Sequence, residues 1–277
     1  MRRLVVVLAL MASTGSSAES DIVYLVKNRD QTLTVRDTDG DAVTGDIPLP
    51  VGDRGVRVVA ADDGFHVVAE SADWREDRYF RLRAPDYALE PIDARAAHGL
   101  TITRDGTKAA YMTGTYEDPS LVLRDLRTGR ETATKSTPVY RMTWTPDGSR
   151  LLLSIFPPCD DTSDCLGPEQ LKFHDSDRLL GSFDYLTAAP VITGGRILVA
   201  LPDGVIEHYS TTDGRLLDRV RTPFRITQLS VRGDRLLIVV GGNPTRHGGA
   251  RLVTGPLTGG EWRDLPWDAA TMETAAW

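Results

Sequence analysis

The feature that most constrains this chain is a turn that returns at a fixed interval. Asp-Gly pairs stand at 63–64, 105–106 and 147–148, so successive turns are 42 residues apart. Looser turns follow at Gly194-Gly195 and Gly233-Asp234. A short alternating stretch precedes each turn (56–60, 100–102, 142–144, 190–192, 229–231), and an apolar stretch follows it (65–69, 108–112, 151–155, 196–201, 235–240). The best-formed copy is 139–156, VYRMTWTPDGSRLLLSIF. A Pro-Asp-Gly turn between two β-type runs specifies a hairpin. A second kind of turn recurs as RDTDGDAV at 36–43, RDLRTGRE at 124–131, HDSDRLLG at 174–181 and STTDGRLL at 210–217. Each unit therefore holds several short strands and turns within about 40 residues.

A strand-only repeat of this length predicts a β-propeller. One four-stranded sheet cannot bury both of its faces. Blades packed face to face around an axis bury both, and closing the ring leaves only short outer edges. Almost no stretch has helical periodicity. A β-sandwich is the structural alternative, but it does not call for a regular two-turn repeat. The two ends complete each other. Residues 22–49 supply a second, a third and a fourth strand, while TMETAAW at 271–277 reads as a first strand with nothing after it. Trp277 takes the place that Trp144 holds in its own unit. The expectation is an all-β chain with a single six-bladed propeller of four-stranded antiparallel blades. The C-terminal strand completes the N-terminal blade and closes the ring. The expected blades are 22–49 with 271–277, 55–92, 97–135, 139–182, 185–220 and 224–267.

The N-terminus reads as an export signal over residues 1–18, leaving a propeller domain over 19–277. Arg2 and Arg3 form the charged start, and residues 4–12 are an apolar run too short for a stable anchor. Ser16-Ser17-Ala18 offers small residues for cleavage before Glu19. The alternative is a hydrophobic N-terminal strand. The residues after the Arg pair do not match a twin-arginine signal, so a general secretory route is expected. No Cys follows the apolar run, which argues against a lipoprotein, and no later stretch is apolar enough for a transmembrane segment. The expected location is secreted or extracytoplasmic. Net charge is −7 with Arg scattered among more numerous acids, so the basic stripe of a nucleic-acid binder is absent.

Cys159 and Cys165 bracket CDDTSDC. In an exported chain a close, even pair reads as a disulfide that closes a small loop. The alternative is a metal loop using Asp160, Asp161 and Asp164. Catalytic signatures are missing. There is no Gly-x-Ser-x-Gly, no His-Glu-x-x-His and no Cys-x-x-Cys, and no Lys follows a Gly as a phosphate loop requires. DTDGD at 37–41 has the start of a calcium loop. However, Ala42 stands where Gly is needed and Pro48 where Glu is needed, so a plain turn is expected. His66, His98, His174, His208 and His247 show no metal-ligand spacing. No catalytic residue, metal or cofactor is expected.

Trp144-Thr145-Pro146-Asp147-Gly148-Ser149-Arg150-Leu151 resembles the repeat of TolB-like propellers, which are related to WD-repeat propellers. That repeat has an aromatic residue, a Ser/Thr-Pro-Asp-Gly turn and an apolar strand. Ile102-Thr103-Arg104-Asp105-Gly106 matches it in part. The resemblance implies an exported, non-catalytic interaction propeller, here without the additional N-terminal domain of full TolB proteins.

Propeller topology puts the loops between second and third strands on the same face as the loops joining blades. Variable loops on a rigid scaffold are where binding residues concentrate. On that face the sequence places Trp74 in 69–78, Tyr116 in 113–119, the Cys159–Cys165 loop, and Arg246 with His247 in the Gly-rich 241–249. His98, Tyr140, Tyr185, Phe224 and Trp267 lie in the blade-joining stretches. Exposed aromatics beside Arg have the composition of interface hot spots. Arg57 and Arg141 sit at matching starts of first strands. They would hold an anion or carboxylate ligand at the channel mouth, or else face outward or pair within the protein. The leading functional expectation is a scaffold for a protein or peptide partner, with no nucleic acid. One alternative is a secreted hydrolase- or lactonase-type enzyme with carboxylates or His converging in the axial channel. The other is a cell-wall carbohydrate binder with Trp74 and Trp267 side by side.

Overall fold

The recurrent turn is held by its own side chains. Thr145 Oγ1 donates to Asp147 Oδ1 at 2.6 Å, and the same oxygen accepts the Ser149 amide and hydroxyl. Thr103, Asp105 and Thr107 repeat this set one unit earlier. The turn needs a left-handed residue after the Asp, and Gly106 and Gly148 supply it with φ of +69° and +64°. These bonds hold the Asp147 carboxyl down at about 2, the Thr145 hydroxyl contributing most. DTDGD at 37–41 is likewise closed on itself: Asp37 Oδ1 accepts the amides of Asp39 and Asp41.

The computed structural model describes residues 23–28, 30–49, 53–71, 77–96, 98–115, 117–157, 167–241, 251–267 and 272–276. The proposed export signal, the Cys159–Cys165 pair, Trp74, Tyr116, Arg246, His247 and Trp277 lie outside these residues.

Among the described residues, twenty-four strands form six four-stranded antiparallel sheets. The first holds β1 (Val23–Asn28), β2 (Thr32–Asp37) and β3 (Ile47–Pro48). The second holds β4 (Asp53–Ala61), β5 (Gly64–Ser71), β6 (Asp77–Arg83) and β7 (Ala88–Ala96). The third is β8 (His98–Ile102), β9 (Lys108–Gly114), β10 (Pro119–Asp125) and β11 (Glu131–Lys135). The fourth is β12 (Val139–Trp144), β13 (Leu151–Ile155), β14 (Glu169–Phe173) and β15 (Leu179–Phe183). The fifth is β16 (Val191–Thr193), β17 (Arg196–Ala200), β18 (Val205–Ser210) and β19 (Leu216–Arg221). The sixth is β20 (Ile226–Arg232), β21 (Arg235–Val240), β22 (Arg251–Pro256) and β23 (Arg263–Leu265). The last strand, β24 (Met272–Ala276), pairs antiparallel with β1 and gives the first sheet the order β24-β1-β2-β3. The six-bladed propeller read from the turn spacing is the fold observed, with blade limits within a few residues of those expected.

Blade packing follows from alternation. Second strands are buried on both sides, as β13 is along its whole length, because each lies between two neighbouring blades. One apolar cluster fills each seam between successive blades. Met112, Met142, Trp144 and Leu153 join the third to the fourth, for example. The sixth seam unites Leu237 and Val239 with Tyr24, Val26 and Ala275, so the last blade packs on the first. Lys108 also reaches across the third seam to donate to the Gly148 carbonyl at 2.8 Å.

Antiparallel order sorts the loops onto two faces. The Asp-Gly turns lie on one, here the turn face. The loops between second and third strands and the blade-joining segments lie on the other, the loop face.

Candidate functional site

First strands from all six blades surround a channel of about 380 Å³. Its walls are small, apolar or hydroxyl-bearing, such as Ala60, Val58, Thr101, Thr143, Ser230 and Val231. Its ionisable lining groups among the described residues are Arg57, Arg104 and Arg141. No described Asp, Glu or His lines it. Among the described residues no group of three or more His, Cys, Asp or Glu is placed to hold a metal ion. No helix there is long and apolar enough to cross a membrane.

Arg57 and Arg141 occupy equivalent places at the loop-face mouth, as their sequence positions suggest, and both turn to carboxylates of the protein. Arg141 Nη1 lies 2.8 and 3.0 Å from the two oxygens of Glu169, and its Nη2 donates to the Leu186 carbonyl at 3.1 Å. Glu169 Oε2 accepts the Leu186 amide at 3.2 Å, while Oε1 also takes the Ser154 hydroxyl. The Glu169 side chain is 0% exposed. Arg57 Nη2 donates to the Leu100 carbonyl at 3.1 Å and lies 3.7 Å from Asp77 Oδ2, which accepts the Leu100 amide at 3.3 Å. In both blades an Arg and an acid clamp the two polar groups of one leucine from the next blade. The Arg side chains thus meet an anion of their own protein, the last of the readings open for them.

Asp77 and Glu169 escaped the sequence reading. Each begins a third strand, which is the available signal. The Arg-to-acid separation is 20 residues in one blade and 28 in the other, because the intervening loops differ in length. A pairing set by strand register leaves no fixed spacing to find.

The remaining loop-face candidates divide. Tyr140 is 58% exposed and Tyr185 52%. The Arg141 guanidinium stacks 4.6 Å from the Tyr140 ring centre, and Phe156 lies 5.5 Å from it. Tyr140, Phe156 and Arg141 therefore gather at the loop-face end of the fourth blade, and Tyr185 directly precedes Leu186, whose carbonyl Arg141 holds. Phe224 packs edge-on against Trp262 and is partly buried. Trp267, expected as an exposed aromatic, packs into the sixth seam, where burying a large apolar ring outweighs displaying it. His66 and His208 are fully buried. Burial pushes the His66 imidazole down to about 4 despite its contact with the Arg104 carbonyl, and burial also lowers that of His208.

No protein-family model matches the chain, and no curated protein sequence matches it. Solved structures do. TolB from Acinetobacter baumannii superposes with a TM-score of 0.60 at 16% identity, over 92% of this chain. The match covers 65% of the TolB chain, less than two thirds of its length. A chain of the nidogen/laminin complex superposes with a TM-score of 0.60 at 9% identity, over 92% of this chain and 97% of its own. A protein of unknown function from Desulfotomaculum acetoxidans DSM 771 gives 0.50 at 12% identity, over 89% and 99%. At these identities the likeness is one of fold.

Proposed function

We propose that this chain is an extracytoplasmic, non-catalytic β-propeller that binds a protein or peptide through its loop face. The observation that carries the reading is the chemistry of the channel. Propeller enzymes of the hydrolase or lactonase type need converging acids, imidazoles or a metal in such a cavity. The described lining offers three guanidinium groups instead, two of them engaged with internal carboxylates. Among the described lining residues there is no carboxylate or imidazole for general acid–base work. Binding, by contrast, has a surface: two exposed tyrosines on the loop face, one of them stacked by an Arg. The nidogen/laminin neighbour is a chain from a protein–protein complex and gives this use a precedent on the same fold. The charge and apolar pattern of residues 1–18 supports export. The sequence positions of Trp74, Tyr116, Arg246 and His247, between second and third strands, support counting them in the same proposed face.

The test is capture of partners from the native cell envelope, followed by measured affinity for the partner identified. Tyr140→Ala and Tyr185→Ala should each weaken binding tenfold or more, as hot-spot tyrosines do. Arg127→Ala, in a turn on the opposite face, should leave it unchanged. Full affinity in both tyrosine variants would remove the loop face from consideration.

A further inference from the structure

The turn face carries a second cavity, of about 290 Å³, between the third and fourth blades. Cationic and donor groups from five different strands or turns meet there: Lys108, Arg124, Arg130, Ser149 and His174, with Trp144 forming part of the wall. The third blade supplies the first three and the fourth blade the others. In a chain of net charge −7, such a gathering of cations around one hollow is uneven charge placement.

Ser149 spends its amide and hydroxyl on Asp147 and Arg124 faces Glu131, but the other donors are largely unspent. No ion pair is made by Arg130 or Lys108 among the described residues; Lys108 uses one of its three N–H donors on the Gly148 carbonyl. His174 Nδ1 accepts the Leu151 amide at 3.3 Å, so in the neutral ring the proton sits on Nε2, a further donor. Trp144 is nine-tenths buried, and neither its indole N–H nor the Arg124 Nε has an acceptor among the described residues. The acids nearby are committed. Asp125, the acid on the wall, accepts the Arg127 and Thr128 amides through Oδ1. Glu131 accepts the Tyr111 hydroxyl at 2.8 Å and lies 3.6 Å from Arg124. Asp175 is bound by Arg150.

We propose that this hollow binds a tetrahedral oxyanion, the phosphate or sulfate group of a small ligand. A carboxylate offers two oxygens to one fork of donors, whereas phosphate and sulfate present oxygens in several directions. Those oxygens match donors arriving from both blades. The site lies on the face opposite the proposed partner surface, and its test is independent of that surface.

The full mature chain is titrated calorimetrically with inorganic phosphate, inorganic sulfate and acetate at matched ionic strength. The expected result is saturable one-to-one binding of phosphate, sulfate or both, with acetate much weaker. Arg130→Gln should weaken that binding about tenfold, the effect of one charge-assisted hydrogen bond. Arg221→Gln, an exposed cation in the fifth blade, should leave it unchanged. Whichever of phosphate and sulfate binds tighter names the ligand's group. Three results would each overturn the proposal. They are no saturable binding of either tetrahedral ion, acetate binding as tightly, or equal weakening in the two arginine variants.

Discussion

The Arg141–Glu169 clamp and its counterpart at Arg57 and Asp77 share a geometry but differ in depth, which makes them a controlled comparison. Arg141→Ala strands a fully buried carboxylate with only the Ser154 hydroxyl and the Leu186 amide as donors. Removing one partner of a buried ion pair costs about 3–5 kcal/mol, because the remaining charge stays desolvated. Arg57 is 41% exposed and 3.7 Å from Asp77 Oδ2, so its own pairing is weak, and the acid it would leave, 8% exposed, keeps the Leu100 amide as a donor. Arg57→Ala should cost about 1 kcal/mol, since the pair it breaks is long and half open to water although Asp77 is not. The expected difference is therefore about 2–4 kcal/mol, read by urea unfolding of each variant with unchanged m-values. The second arm removes the stranded charge. In the Arg141→Ala background, Glu169→Gln should restore part of the loss, since a neutral amide tolerates burial where a carboxylate does not. Equal losses for the two arginine variants would refute the reasoning, as would an Arg141→Ala protein that Glu169→Gln destabilises further.

His66 gives a pH dependence with a definite sign. Its folded value near 4 lies below the usual 6.5, so between those limits the unfolded chain binds a proton that the folded chain refuses. Stability from this group is full above pH 6.5 and is lost as pH falls towards 4, by about 3 kcal/mol at most. His66→Gln should flatten the unfolding free energy across that window, and an unchanged slope would show the imidazole is not the cause. Asp147→Ala removes the acceptor that closes the fourth-blade turn and should lower stability by about 1 kcal/mol, with Asp147→Asn milder, measured by thermal unfolding. Intact-mass analysis of the exported protein should find a chain beginning at Glu19 and two hydrogens lighter than its reduced form, as a Cys159–Cys165 disulfide requires. A product that keeps Met1, or one whose mass does not change on reduction, would contradict that reading.

The ring was legible because its turns are local. Thr145-Pro146-Asp147-Gly148-Ser149-Arg150 carries its turn hydrogen bonds within six residues, so the motif survives translation from sequence to structure unchanged. The equivalence of Arg57 and Arg141 was legible for the same reason, each being counted from its own turn. Their acids were not, because Asp77 and Glu169 reach them across a loop of variable length. The oxyanion hollow was still less visible. Lys108, Arg130 and His174 lie far apart in sequence and meet through the packing of one blade on the next, which no local pattern records. Trp267 misled for a related reason: a residue just outside a strand reads as exposed until the neighbouring blade is in place.

The two proposed surfaces meet in one strand. β12 begins on the loop face with Tyr140 and Arg141 and ends on the turn face with Trp144, which lines both the channel and the oxyanion hollow. Six residues of strand span about 20 Å, so the two sites are too far apart for direct contact. They are nevertheless joined by a strand whose buried side chains pack in the seam between blades. A Trp144 substitution would open that seam and disturb both ends, and so would assign nothing. Arg130 and Tyr140 separate them. Arg130 lies in the outer turn before β11, Tyr140 at the start of β12, and both side chains stand outside the packed seam. Loss of oxyanion binding in one and of partner binding in the other, with each variant otherwise intact, is what two independent surfaces on one rigid ring require.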